Sequence, residues 1–381
     1  MKRPAVAACG ALMLLTAAAG PGNAQLVRGS VRERASNAGL TGTVVELLRQ
    51  EAGGGERSVT SALTVAGGSF ALRAPDAGRF VLAVKRIGYR RHRSEPFDLG
   101  AGETLVREII VDLAPFVLSE VVVKGTRFCA GDPREGDRVA ALWDEARTAL
   151  FATQISLRDR LFRARVTHYV RELDPRSLRV LSETRSHATG VVSRPFASIS
   201  AESLSARGYW IPGKDGGGTY YGPDADVLVS QAFLDDHCFS EVRAGRDRRG
   251  LVGLGFAPVA GRTVPDVVGT LWLDEKSFEL RFVEFTYSQV RPGSDSAAVG
   301  GELHFAKLPS GAWLVRRWFL RLPVFARLSS PVATEETTSP WVLVRPVTLR
   351  YREEGGDVTA EVERAKPARP PEPNDAPARP R

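Results

Sequence analysis

The chain is predicted to be mainly β: a small antiparallel sandwich, then a second antiparallel β-rich domain with one substantial helix. Three observations lead there. Residues 26–123 are short alternating runs separated by Gly, Pro and Asp, the punctuation of a small sandwich. A single stretch of helical period follows. Beyond it, alternating runs return and form a meander.

Taken in order, the N-terminal strands are "LVRGSVRE", "LTGTVVELL" and "GGSFALRAP", the last entered through two glycines. "GRFVLAVKRIGYRRH" follows the turn at Pro75–Gly78, and Phe80, Leu82 and Val84 share one of its faces. "TLVREIIVDL" alternates again, and "LSEVVVKG" (Leu118–Gly125) reads as a closing strand. No helical period interrupts this region, so residues 25–125 are expected to fold without help from the helix.

After Cys129, the residues Val139, Leu142, Trp143, Ala146, Ala149 and Leu150 fall on one helical face. This places a helix near 137–154, with Asp137 as N-cap and Asp144-Glu145 facing out. "LFRARVTHYVREL" and "SLRVLSETRSH" are strands joined at Asp174-Pro175-Arg176. "GTLWLD", "FELRFVEFTYSQV", "GGELHFAKL", "GAWLVRRWFLRLP" and "WVLVRPVTLRY" with "DVTAEVER" complete the meander, with Leu314, Trp318, Leu320 and Leu322 alternating except at Arg316. The second domain is thus 126–363. Residues 364–381 hold six prolines and few apolar residues, a composition that cannot build a core.

The first 24 residues read as a secretory signal. Lys2 and Arg3 precede the apolar run "ALMLLTAAA", and Gly22-Asn23-Ala24 supplies small residues for cleavage before Gln25. The run is too short to span a bilayer, and no later stretch is apolar enough to do so. The protein is therefore expected to be exported, to the periplasm or in association with an outer membrane. Removal of Lys2 and Arg3 takes the net charge from +8 to +6. The basic cluster Lys85-Arg86 with Arg90-Arg91-His92-Arg93 could meet anions, but it also suits a guarded strand edge. An exported chain argues against nucleic acid. Two cysteines remain, Cys129 and Cys238, and an even count in an oxidising compartment suggests a disulfide; two buried thiols are the alternative.

The order "VRGSVRE", "LTGTVVEL", "GSFALRAPDAGRFVLAVKRIGYRR", "LGAGETLVREIIVDL" resembles the carboxypeptidase regulatory-like domain, a transthyretin-like sandwich, and the resemblance implies a seven-stranded antiparallel sandwich here. That domain is the N-terminal extension of TonB-dependent receptors and other envelope proteins. This chain has "SNAGL" where the family has a Thr-Gly-x-Pro turn. "LSEVVVKG" matches the stretch that introduces a plug and barrel in those receptors. The 256 residues after Gly125 are too few for a plug and 22 strands, so such a transporter is not expected. The "GTLWLD…FELRFVEFTY" hairpin resembles the half-barrel of periplasmic lipoprotein carriers. The whole layout is similar to uncharacterised envelope proteins that carry the same N-terminal module; "LWDEARTAL", "YYGPDADVL", "AFLDDHCF" and "GGELHFAKLPSGAWLVRRW" carry that likeness.

No catalytic set survives inspection. His92-x-x-Glu95 sits among arginines that repel a metal, with no third ligand. Asp235-Asp236-His237-Cys238 is the densest set of ligand-type atoms, yet chain neighbours rarely converge on one ion, and a turn or cap suits the two aspartates. Gly67–Ala71 misses a nucleophile elbow, and the Gly-rich loop at 213–218 has neither Walker order nor a following helix. "GLVGLGF" runs into Pro258, without the helix a dinucleotide site needs. Neither a cofactor nor a metal is expected.

The remaining candidates are Tyr209, Trp210, Tyr220 and Tyr221 around that loop, which either stack on a ligand or fold back over the sheet. The reading is a non-catalytic envelope protein that binds or assembles, its partner an envelope protein, a glycan or a lipid. The alternative is a periplasmic carrier of a lipid or other apolar ligand in a half-barrel groove. A carbohydrate-binding protein or hydrolase ranks below both.

Overall fold

The computed structural model describes residues 25–51, 53–113, 127–129, 133–190, 196–212, 218–288, 298–325 and 348–361. The expected signal at residues 1–24, the "LSEVVVKG" stretch, most of the Gly-rich loop and the Pro-rich tail lie outside them. The chain is mostly strand, and its sheets are largely antiparallel.

Eight strands build the N-terminal sandwich: β1 (Gln25–Glu33), β2 (Val44–Gln50), β3 (Glu56–Leu63), β4 (Ser69–Ala74), β5 (Gly78–Lys85), β6 (His92–Arg93), β7 (Phe97–Leu99) and β8 (Thr104–Val111). One sheet is β4-β1-β8, and the other is β3-β2-β5-β6 with β7 also paired to β5. Val27, Val31, Val45, Leu47, Phe70, Leu72, Phe80 and Leu82 from both sheets meet in one core, as their period-2 spacing requires. The expected count of seven is exceeded by short pieces of two and three residues. The expectation of a wholly antiparallel sandwich needs correction, because β1 and β8 run parallel, with Leu26 opposite Thr104.

The second domain comprises β9 (Arg127–Phe128), α1 (Pro133–Arg158), β10 (Arg163–Leu173), β11 (Val180–Gly190), α2 (Ala201–Arg207), β12 (Trp210–Pro212), β13 (Gly218–Tyr220), α3 (Ala225–Leu228) and α4 (Gln231–Asp236). It continues through β14 (His237–Val242), β15 (Leu251–Pro258), β16 (Asp266–Asp274), β17 (Leu280–Ser288), β18 (Gly300–Lys307), β19 (Trp313–Phe325) and β20 (Thr348–Glu361). Ten strands form one sheet in the order β11-β10-β20-β19-β18-β17-β16-β15-β14-β9. The consecutive run from β16 to β20 is the expected meander, and β15 and β14 extend it on one side. β20 then returns to pair with β10, whose hairpin partner β11 is the last strand on that side.

α1 lies on one face of this sheet. The predicted apolar face is buried, with Trp143, Ala146, Ala149 and Leu150 at 0% exposure, and it packs on Phe239, Leu254, Leu271, Val283 and Leu303. The helix starts at Pro133, which suits a first turn that needs no N–H, so Asp137 is inside it and not its cap. The exception at Arg316 is a β-bulge: His304 faces Arg317 while Phe305 faces Val315, leaving Arg316 as the extra residue. Because of that shift, Val315 joins Trp318 and Leu320 in the α1 cluster, and Leu314 packs elsewhere with Phe162 and Ala164.

Two hairpins share one turn. In "LDPRSL" and "LDEKSF", Asp174 and Asp274 each accept from the N–H groups two and three residues on. Leu178 and Phe278 then take positive φ. This is Asx-turn chemistry acting locally.

The sandwich does not stand clear of the helix. Val44 and Leu63 belong to the α1 cluster, and Arg158 Nη1 donates to Ser61 Oγ at 3.1 Å. Gly42 (φ 73°) and Gly311 (φ 87°) meet backbone to backbone; a Cβ at Gly42 would lie 2.6 Å from Gly311 Cα. The arginine cluster is committed here or to neighbouring strands: Arg91 pairs with Asp144, Arg93 with Glu56 and Lys85 with Glu46. Asp144 and Glu145 therefore face the sandwich, correcting the outward placement.

Gly88 N–H donates to Glu145 Oε2 at 3.2 Å. Burial pushes the Glu145 carboxyl up to about 7, against the opposing pull of that N–H and of Arg91. A carboxyl raised in the folded state holds its proton more tightly there than in the unfolded chain. Stability is then greatest below about 4.5, the usual carboxylate value, and falls as pH rises towards about 7. With some solvent contact remaining, the effect is about 1–2 kcal/mol. Urea unfolding at pH 5 and pH 8 should show that loss, and Glu145→Gln should remove most of it while keeping an acceptor for Gly88.

Candidate binding surface

The four aromatic candidates divide once folded. Tyr209 is 2% exposed, its N–H donates to Pro265 O and its O accepts from Tyr221 N–H. Burial holds its hydroxyl well above the usual tyrosine range. It is a core residue, and its candidacy as a binding face is corrected. Trp210 and Tyr220 oppose each other across the β12–β13 ribbon, ring centroids 6.1 Å apart. Tyr220 stands edge-on to Tyr287 at 5.2 Å, and Tyr221 packs on the α1 cluster. The group folds back over the sheet, with Trp210, Tyr220 and Tyr221 half-buried. Tyr287 O–H donates to Tyr221 O at 3.0 Å. Tyr287→Phe should lower stability by about 1–2 kcal/mol by orphaning that carbonyl, measurable by thermal unfolding.

Each side chain of the Asp235–Cys238 stretch has a neighbour within the fold. His237 is 1% exposed and Asp266 0%. His237 Nε2 stands 3.0 Å from Asp266 Oδ1, at ion-pair distance but without hydrogen-bond alignment, and Nδ1 lies 3.0 Å from Phe233 O. Phe233 stacks on the imidazole at 4.0 Å. Arg262 bridges Asp266 and Asp236 and donates to Ser205 O. Two acids, an arginine and a histidine thus form one network, in which His237 and Asp266 are shut off from solvent while Arg262 and Asp236 at its rim are half-buried. Asp235 instead accepts from Gln231 on α4. His92 is half-buried and Glu95 exposed. Among the described residues no three His, Cys, Asp or Glu side chains are grouped to hold a metal.

Cys129 and Cys238 meet, with Cα atoms 4.9 Å apart and the sulfurs bonded, inside the usual disulfide range. The bond sits where β9 pairs in parallel with β14 and Cys129 N–H donates to Phe239 O.

What the sequence did not signal is the exposure of β11. Its residues Val180–Thr189 are all exposed, including Val180 at 53% and Leu181 at 59%. Among the described residues β11 pairs only with β10, and none of them pairs with its other edge. On the face carrying Glu183, charges alternate from strand to strand. Arg321 of β19 meets Glu353 of β20 at 2.8 Å. Glu353 meets Arg171 of β10 at 3.3 Å, and Arg171 meets Glu183 of β11 at 2.5 Å. Arg185 pairs with Glu183 within β11. The alternation was readable residue by residue, but the ladder needs the return of β20 to β10.

No protein-family model matches the chain, and no curated protein does. Solved structures resemble it only distantly. A DUF3823 family protein from Bacteroides uniformis is 12% identical, with 70% of this chain and 97% of that one covered and a TM-score of 0.21. The 5-hydroxyisourate hydrolase of Klebsiella pneumoniae is 14% identical over 24% of this chain and 91% of its own, TM-score 0.19. The group B streptococcus pilus 2b backbone protein is 15% identical over 25% of this chain and 43% of its own, TM-score 0.20. The match therefore spans less than half of that pilus protein. At such TM-scores none of the three bears on function. The fold itself defines the class: a β-sandwich module docked on a helix-covered ten-stranded sheet. No helix among the described residues is long and apolar enough to cross a membrane.

Proposed function

We propose that this is an exported, non-catalytic protein of the cell envelope that binds or assembles, with an N-terminal module of the carboxypeptidase regulatory-like kind. Its working surface is the open edge of β11. The observation that carries this reading is a strand of eleven residues, exposed over Val180–Thr189, at the end of a ten-stranded sheet. Such an edge offers unpaired N–H and C=O groups to another chain, the basis of recognition by strand addition. The burial of His237 and Asp266 keeps that pair away from a substrate, which favours binding over catalysis. The carrier reading has less support, because α1 covers the sheet face a groove would need and its side chains fill the space.

The test is a photo-reactive residue placed in the native host at Ser186, with an exposed control at Lys276. Cross-linked adducts at Ser186 and none at Lys276 are expected. Equal yields at both, or none at Ser186, would remove β11 as the working surface.

A further inference from the structure

We infer that the partner taken by the β11 edge is a second copy of this chain, paired antiparallel about a two-fold axis at Thr184. This rests on the reading of β11 as the working surface and names its occupant. The charge ladder supplies the argument. It runs Arg321, Glu353, Arg171, Glu183 across four strands, so the next strand must bring a cation opposite Glu183. A two-fold at Thr184 does so, setting Arg185 of the second copy against Glu183 and Glu183 of the second copy against Arg185. On the other face, Ser182 then opposes Ser186, and Thr184 opposes its own copy. Hydroxyl pairs and opposite charges directly across a ladder are favourable.

Neighbouring registers do worse. An axis at Glu183 stacks Glu on Glu, and one at Arg185 stacks Arg on Arg; like charges directly opposite are destabilising. From Ser182 to Thr189 the strand is polar or small on both faces. It therefore has no apolar row to seat a hydrophobic peptide, and selection must come from charge and hydroxyl complementarity. A pair of strands of this length buries less than a standard interface of roughly 1,200–2,000 Å². The dimer is accordingly reversible, and its exposed Glu–Arg pairs weaken with salt.

Sedimentation velocity on the full chain, over a dilution series at low salt, tests this. The wild-type protein should show a concentration-dependent monomer–dimer equilibrium. E183R alone and R185E alone should each weaken it about tenfold or more, since each sets like charges opposite one another. An equimolar mixture of the two variants should restore it, because the mixed pair is complementary again. Thermal unfolding of each variant checks that it is folded, and recovery in the mixture cannot come from misfolded chains. A wild-type protein that stays monomeric, single variants that dimerise unchanged, or a mixture no tighter than its components would each overturn the inference. If the wild type is monomeric while cross-links at Ser186 to other proteins persist, only the identity of the occupant falls. If those cross-links are absent too, the working surface falls with it.

Discussion

Asp266→Ala should lower the unfolding free energy by about 3–5 kcal/mol, the cost of breaking a buried ion-pair network by removing one partner. Asp266 is 0% exposed and receives Arg262 Nε, Val267 N–H and the approach of His237. Its removal leaves the Arg262 guanidinium, already half of a pair with Asp236, facing an apolar void. His237 loses the carboxylate that stands 3.0 Å from its Nε2, in a pocket closed by Phe233 and Phe256. Denaturant unfolding of wild type and variant gives the difference directly. A loss below about 1 kcal/mol, the size expected of an exposed pair, would mean that water reaches the site. The sealed, structural reading of His237 would then be lost, and a catalytic role for the pair would reopen.

Breaking the Cys129–Cys238 bond should cost about 2–5 kcal/mol. The two residues are 109 apart in sequence, and closing a loop of that length restricts the unfolded chain by roughly 4–5 kcal/mol in the chain-entropy account. The folded position adds a second reason. β9 is only two residues long and holds to β14 by a short parallel pairing, so the covalent link anchors the entry to α1. Cys129→Ser and Cys238→Ser should each lower the urea midpoint by a similar amount, and the double variant by no more than either single one. Peptide mapping of denatured, unreduced protein should find the two cysteines in one linked species. Finding both as free thiols would refute the bond, and a midpoint unchanged in all three variants would refute its contribution.

Much of the architecture was legible residue by residue. Alternation at Phe80, Leu82 and Val84 placed a sandwich strand and its face, because period 2 is a property of the strand itself. The spacing of Val139, Leu142, Trp143, Ala146 and Leu150 placed α1 and its buried face. Asp174 placed a turn, and the matching turn at Asp274 uses the same chemistry, since an Asx turn is satisfied within a few residues. The candidate site was much less legible. Tyr209 and Trp210 are neighbours of similar amphipathic character, yet one is buried and the other is not. Glu145 looked like a solvent-facing helix residue because nothing in α1 announces the sandwich packed against it.

The two hairpins built on the same turn separate what sequence determined from what tertiary structure decided. "LDPRSL" and "LDEKSF" each set a hairpin locally, through one carboxylate and one residue at positive φ. β17 then lies inside the sheet, with Leu280, Val283, Phe285 and Tyr287 buried under the helices, while β11 ends the sheet with its side chains in solvent. Turn chemistry acts over five residues and could be read from the chain. Burial depends on whether another strand and a helix arrive from more than a hundred residues away, as β20 does for β10. The parallel register of β1 with β8, the glycine contact between Gly42 and Gly311, and the meeting of His237 with Asp266 are of the same kind. Each joins groups that are distant in the chain, and only the packed fold determines which of them meet.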